Sequence, residues 1–208
     1  MGISKEIYNK MLTKTQIEIM KIFVSKIDKK FSINEISELL KKPYALIHRS
    51  MQELIKNKFV LADEKKLLSL NYKDNFAGLS FIESLRNLEK LKNEKSVSLF
   101  VKDCLKEIKE EFFIFLIFGS FAERKKFNDL DIIIILDNQN KAEQTEKIIK
   151  NIASNFSFKT DFHVLNKESA YEMFSKREQI NILNESLNKH LIVFGGENYY
   201  KILSNARR

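Results

Sequence analysis

Three aspartates and one Gly-Ser pair carry the most specific chemistry in this sequence. Asp129 and Asp131 stand two residues apart at the head of the apolar run Leu130-Asp131-Ile132-Ile133-Ile134-Ile135-Leu136, and Asp161 lies in Phe158-Lys159-Thr160-Asp161-Phe162-His163-Val164-Leu165. On a strand, residues two apart project to the same side. An ionised carboxylate on an apolar strand is costly unless it is compensated, and two held side by side repel each other unless a cation sits between them. Mg²⁺ suits this role, because a couple of carboxylates plus substrate phosphates typically hold it. Asp161, presented at the same level by a neighbouring strand, would add a third oxygen ligand and complete a two-metal site. One ion would polarise a phosphate and stabilise leaving pyrophosphate; the other would activate an attacking hydroxyl and hold it in line. The bland alternative is a set of strand-end acids paired with Lys or Arg. His163, two residues past Asp161, is read either as a contact on the same side or as a surface histidine.

Gly119-Ser120 ends the apolar run Phe112 to Phe118. A glycine there permits close backbone approach at a strand-to-helix turn, while Ser120 and nearby amides can cradle triphosphate oxygens. No Gly-Lys-Ser/Thr follows, so this is not a Walker loop. Arg124, Lys125 and Lys126 either help bind triphosphate or form a solvated basic loop.

The elements that must position these residues follow from periodicity. Phe112–Phe118 and Leu130–Leu136 read as strands buried on both faces, and 158–165 as a third, with a helix at about 141–155 between the last two. Phe76 to Leu91 and Val97 to Glu111 are helical patterns; the first is expected to link two domains and the second to pack on the sheet. Cys104 falls among apolar helix positions and reads as buried filler; as the single cysteine it excludes an internal disulfide and a cysteine metal cluster. Beyond the third strand, 167–176 and 178–190 look helical, Leu191–Phe194 reads as a strand, and Gly195-Gly196 as a turn before a terminal amphipathic segment.

Phe118-Gly119-Ser120-Phe121-Ala122 followed by Asp129-Leu130-Asp131-Ile132 resembles the signature of the polymerase-β-type nucleotidyltransferase superfamily. It is most similar to the minimal prokaryotic members, which include antitoxin partners of HEPN-type ribonuclease toxins. The resemblance covers roughly residues 97–165. It implies transfer of a nucleoside monophosphate, often AMP, from an NTP such as ATP to an acceptor hydroxyl. It also implies that Gly119 and Ser120 contact the nucleotide phosphates, that Asp129 and Asp131 bind two Mg²⁺ ions, and that Asp161 is third ligand and base; Arg124, at a departure from the pattern, is a candidate nucleotide contact from its charge alone. The sequence departs from the pattern at Glu123-Arg124, where a glycine is usual, and at Asn128, where a serine is usual. Eight residues separate Ser120 from Asp129, a shorter loop than the minimal members carry.

The first third has another character. The net charge is +8, and residues 1–75 hold 15 Lys/Arg against 9 Asp/Glu, so most of the excess lies there, as expected of a segment that meets a polyanion. Thr15 to Ile27 reads as an amphipathic helix, Phe31–Asn34 as extended, and Glu35 to Leu40 as a helix capped by Asn34 with Ile36, Leu39 and Leu40 inward. A third helix, about 44–57, buries Leu46, Ile47, Met51, Leu54 and Ile55. A strand, polar turn and strand follow over 59–70. This order resembles a winged helix-turn-helix over about residues 10–72. The resemblance implies DNA contact through Tyr44, His48, Arg49 and Gln52 on the third helix, with Lys41, Lys42, Lys65 and Lys66 near phosphates. The competing use of such a unit is dimerisation or protein contact.

The longest apolar run is far too short to cross a bilayer, and the opening residues lack a secretory h-region, so a soluble cytoplasmic protein is expected. The expected fold class is α/β (α+β): a winged helix-turn-helix over 1–75, a helical linker over 76–95, and over 96–208 a nucleotidyltransferase domain with a small mixed sheet flanked by helices. The expected function is NMP transfer, AMP foremost, to a macromolecular hydroxyl. A HEPN-type toxin is one candidate partner, DNA is a further partner, and a homodimer is compatible. The main alternative is a DNA-binding transcriptional regulator whose transferase fold binds nucleotide or partner without turnover. A small-molecule nucleotidyltransferase is a third reading.

Overall fold

The structure, a computed structural model, describes residues 12–123 and 127–208. The chain begins with three helices, α1 (Lys14–Ser25), α2 (Ile33–Leu40) and α3 (Tyr44–Lys56), and a two-stranded antiparallel hairpin of β1 (Val60–Ala62) and β2 (Leu68–Leu70). Phe31 adds one antiparallel bridge to Leu68. Helix α1 starts at Thr13 through a capping box with Gln16, and α2 starts two residues earlier than expected, because Ser32 and Glu35 form a capping box. Ser32, not Asn34, is therefore the cap. Lys41 closes α2 in the left-handed conformation. Two positions expected inside are outside: Leu39 is 59% and Leu46 40% exposed. Each helix is short and faces a small core, so Ile36 is the one fully buried residue of α2, with Ile33 and Leu40 packed partly against the core, while Ile47, Ser50, Met51 and Leu54 make the buried stripe of α3.

Two further helices follow, α4 (Phe76–Lys92) and α5 (Lys95–Glu107). Next come β3 (Phe113–Phe118), the short α6 (Ser120–Glu123), β4 (Asp129–Leu136), α7 (Ala142–Ala153) and β5 (Lys159–Asn166). The chain closes with α8 (Lys167–Ser175), α9 (Ile182–Ser186), β6 (His190–Phe194) and α10 (Gly196–Ala206). The four-stranded sheet runs β5-β4-β3-β6; β3 is antiparallel to both neighbours and β4 is parallel to β5. The architecture is α+β, with a small mixed sheet flanked by helices. The stretch 178–190 is not one helix. Asn184 Nδ2 donates to the carbonyls of Met173, Lys176 and Gln179, which holds an irregular turn ahead of α9, and His190 belongs to β6.

Each face of the sheet carries its own core. One face presents Phe115, Ile117, Leu130, Ile132 and Ile134 to α5 and α7, where Cys104 is fully buried. The other presents Ile114, Leu116, Ile133, Ile135 and Ile192 to α8, α9 and α10, and this core continues without a break through α4 into α1, α2, α3 and the hairpin. Helix α4, expected as a linker, is thus a central strut whose Leu79 and Ile82 are buried in the shared core. Among the described residues no helix is long and apolar enough to cross a membrane.

Candidate functional site

Strand alternation decides where the acids go. With Leu130, Ile132 and Ile134 committed to the α5–α7 side, Asp129 and Asp131 must point to the opposite face, the one shared with the N-terminal helices. The register places Asp131 between Phe118 of β3 and Asp161 of β5, and pairs Asp129 with Lys159. Asp131 is partly buried, whereas the Asp161 side chain is 70% exposed. Burial, then the neighbouring Asp161 and Asp129 charges, push the Asp131 carboxyl above its ordinary range; His163 and Lys189 pull against that shift. His163 Nε2 lies 3.9 Å from Asp161 Oδ2, so this histidine does share the aspartate's side of β5.

Gly119 closes the other wall. Its φ of +70° is left-handed, and a Cβ built there would overlap Asp131 Oδ2 and lie 3.3 Å from Cγ. The glycine and the aspartate are thus fitted to one another: the carboxylate occupies the space a side chain would need. Gly119 N donates to Lys189 O at 2.9 Å, which fixes the turn to the segment ahead of β6. Ser120 opens α6 beside it, half-buried. Arg124 lies outside the described residues, as do Lys125 and Lys126. Among the described residues, no three His, Cys, Asp or Glu side chains are preassembled closely enough to hold a metal ion. What the fold supplies is a pair of carboxylates in register, with a third two residues back, in a field that disfavours their joint ionisation.

Four of the residues expected to meet DNA share one surface of α3. Tyr44, His48, Arg49 and Gln52 are exposed on α3 and line one shallow hollow; Tyr44 and His48 stack at 5.9 Å between ring centres. Lys65 and Lys66 are exposed on the hairpin turn, which Asp63 organises by accepting from Lys65 N and Leu67 N. Lys41 is exposed, while Lys42 is held by Glu18 at 2.5 Å.

A buried polar cluster next to the site has no counterpart in the sequence reading. Glu83 of α4, 1% exposed, receives Arg86 Nη1 at 2.6 Å and Tyr200 OH at 3.0 Å, and lies 3.3 Å from His190 Nε2. Arg86 Nη2 donates to His190 O at 2.9 Å. Burial opposes the Glu83 charge, but Arg86, His190 and Tyr200 together hold its carboxyl below the ordinary range. The segment 187–190 also carries Ile27 N on Leu187 O and Asp28 N on the Asn188 side chain, so one short stretch ties α1, α4 and the Gly119 turn together.

Residues 101–186 match the family model described as polymerase beta, nucleotidyltransferase. The match supports the nucleotidyltransferase superfamily for the segment that contains Gly119, Ser120 and all three aspartates. It stops short of Lys189 and β6. The crystal structure of Pseudomonas aeruginosa HmgR is similar over 58% of this chain and 45% of that one, with 18% identity and a TM-score of 0.29. This chain thus spans under half the length of that protein. No curated protein matches this chain.

Proposed function

We propose that the chain transfers a nucleoside monophosphate, AMP foremost, from an NTP to a macromolecular hydroxyl. The observation that carries the reading is the alignment of Asp131 with Asp161 on adjacent parallel strands, under a glycine turn shaped to the Asp131 carboxylate. The family match over 101–186 supports the same class of chemistry. Asp129 and Asp131 would hold Mg²⁺, two ions being expected, with Asp161 as third ligand. The donor set fits such a cation, because the acids mutually raise the Asp131 carboxyl and the oxygens missing from a closed cage are those that a triphosphate brings. Bound there, Mg²⁺ would supply Lewis-acid stabilisation of charge on the phosphates.

The chain's own residues then divide the work. Gly119 makes room for the Asp131 carboxylate beside the triphosphate, whose oxygens Ser120, with Arg124, binds. Asp161, exposed beside the half-buried Asp131, faces the acceptor and takes its hydroxyl proton as the oxygen attacks the α-phosphorus and pyrophosphate leaves. We further read residues 1–75 as a winged helix-turn-helix that uses Arg49 and Gln52 on base edges and Lys41, Lys65 and Lys66 on phosphates. The exposure of the α3 set supports that use. The acceptor we propose is a protein hydroxyl, such as one on a HEPN-type toxin partner.

Labelled ATP, Mg²⁺ and candidate acceptor proteins test the transfer. Metal-dependent labelling that vanishes in Asp129→Ala/Asp131→Ala is expected. No labelling, with nucleotide or DNA binding intact, overturns turnover and leaves a DNA-binding regulator that only senses nucleotide. The exposure of Asp161 and the lack, among the described residues, of a preassembled three-ligand set are the observations on that side.

A further inference from the structure

A cleft of about 990 Å³ opens between α1 and α4, and none of the chemistry above uses it. Its size is in the range of small-molecule sites, roughly 300–1,000 Å³, which favour junctions between packed units. Ile17 and Ile22 of α1 face Leu85 of α4 and Leu191 of β6 across an apolar floor. A smaller hollow of about 200 Å³ continues it past Ser25, Arg86 and Ala122 towards Lys189.

The polar groups at this cleft are unevenly satisfied. Glu18 in its wall is held by Lys42, and Glu89 by Lys21 across the mouth. Lys14 and Lys90 stand with Glu94 at the rim. Arg86 is different: its side chain is 11% exposed and it lines both cavities. Among the described residues, its bonds to Glu83 and the His190 carbonyl engage two of the five N–H donors of a guanidinium. A nearly buried arginine beside an apolar floor, with donors left over, is suited to a planar or tetrahedral anion carried on an apolar body.

We infer that the α1–α4 cleft binds a small soluble amphipathic anion, its apolar body on Ile17, Ile22, Leu85 and Leu191 and its acidic group on Arg86. Such an occupant touches the N-terminal helical unit and also Ala122, two residues beyond Ser120. It is a separate site from the aspartates and requires no turnover there.

The test uses the full chain and 8-anilinonaphthalene-1-sulfonate, a fluorescent probe with an apolar body and a single sulfonate. Saturable binding of one equivalent is expected. The uncharged analogue N-phenyl-1-naphthylamine should bind about tenfold more weakly or worse, as befits loss of a charge-assisted hydrogen bond. Arg86→Gln should produce a similar weakening of the sulfonate probe. Because Arg86 also serves the buried cluster, Ile22→Trp provides the independent variant: it intrudes on the apolar floor, leaves that cluster alone and should weaken binding, with the circular-dichroism melt retained. Equal binding of charged and uncharged probes, or full binding by a folded Ile22→Trp, would overturn the site. Absence of nucleotide transfer bears on the aspartates alone.

Discussion

Gly119→Ala separates the stability of this fold from the function of its site. Alanine at φ +70° costs about 1–2 kcal/mol of backbone strain. The added methyl also meets Asp131 Oδ2, but that oxygen is the end of a rotatable side chain. Swinging the carboxylate aside costs on the order of 1 kcal/mol of rotamer energy. The sum, about 2–3 kcal/mol, lowers the melting temperature by roughly 4–12 °C in a chain of this size, and the protein stays folded. The site fares worse, because the one carboxylate aligned with Asp161 has moved. Misplacement by about 1 Å is enough for a loss on the order of a hundredfold. Gly195→Ala is the control. It shares the left-handed conformation, φ +76°, but its methyl meets the main chain at Phe113 O, 2.5 Å away, and Ile114 Cα at 3.0 Å. No rotamer change relieves that clash, so about 3 kcal/mol or more is expected, with no direct effect on the acids. Thermal melts and Mg²⁺-dependent ATP binding by calorimetry read both variants. Gly119→Ala with unchanged melting and unchanged Mg²⁺-ATP binding would refute the fit of the turn to Asp131.

Glu83→Gln leaves Arg86 without its buried counter-charge and should cost about 3 kcal/mol at neutral pH. Because the Glu83 carboxyl is held below its ordinary value of 4.5, its contribution is fully present above that pH and is lost as pH falls through the folded value. The variant should therefore show a shallower acid limb in melts taken from neutral pH to below 4.5, and an acid limb identical to the parent's would count against this. Arg49→Ala/Gln52→Ala should remove sequence preference in a DNA shift assay and leave metal-dependent labelling intact; retained preference would move the DNA contact elsewhere. Cys104, whose thiol is pushed up to about 12 by burial and by Asp103, should resist a thiol reagent at mildly alkaline pH until the protein is unfolded. Rapid reaction in the native state would contradict its burial.

The strand placement of the aspartates could be read from sequence because each breaks a strong local pattern. An acid two residues from another at the head of an isoleucine strand has few structural uses, and strand alternation alone sends Asp129 and Asp131 to one face. The alignment of Asp161 with Asp131 required only that β4 and β5 lie parallel, as a helix between two strands favours. Glu83 offered no comparable signal. Its partners His190 and Tyr200 are 107 and 117 residues away, and on an amphipathic helix a glutamate beside Ile82 looks solvated. The burial of α4 was hidden for the same reason. Its second face is covered only when the C-terminal strand and helix return to it, and their pairing is set by long-range packing. Leu39 and Leu46 erred in the other direction: apolar residues on short helices were assigned to a core too small to take them.

The buried cluster also explains why the site sits where it does. The aspartates open on the face of the sheet that carries the N-terminal helices, so that face must be packed up to the acids without covering them. Segment 187–190 meets both needs. It takes the end of α1 through Leu187 and Asn188, the Gly119 amide through Lys189 and the α4 strut through His190. Loss of the Glu83 charge, which leaves Arg86 uncompensated, would loosen His190 and, one residue away, the carbonyl that fixes Gly119. The turn shaped to Asp131 therefore depends on a carboxylate that touches neither the acids nor any substrate. Glu83→Gln should weaken Mg²⁺-ATP binding several-fold even at temperatures well below its melt, while Glu83→Asp, which keeps the charge, should recover part of it. Equal binding by parent and Glu83→Gln at such temperatures would show that the turn is held by local bonds alone.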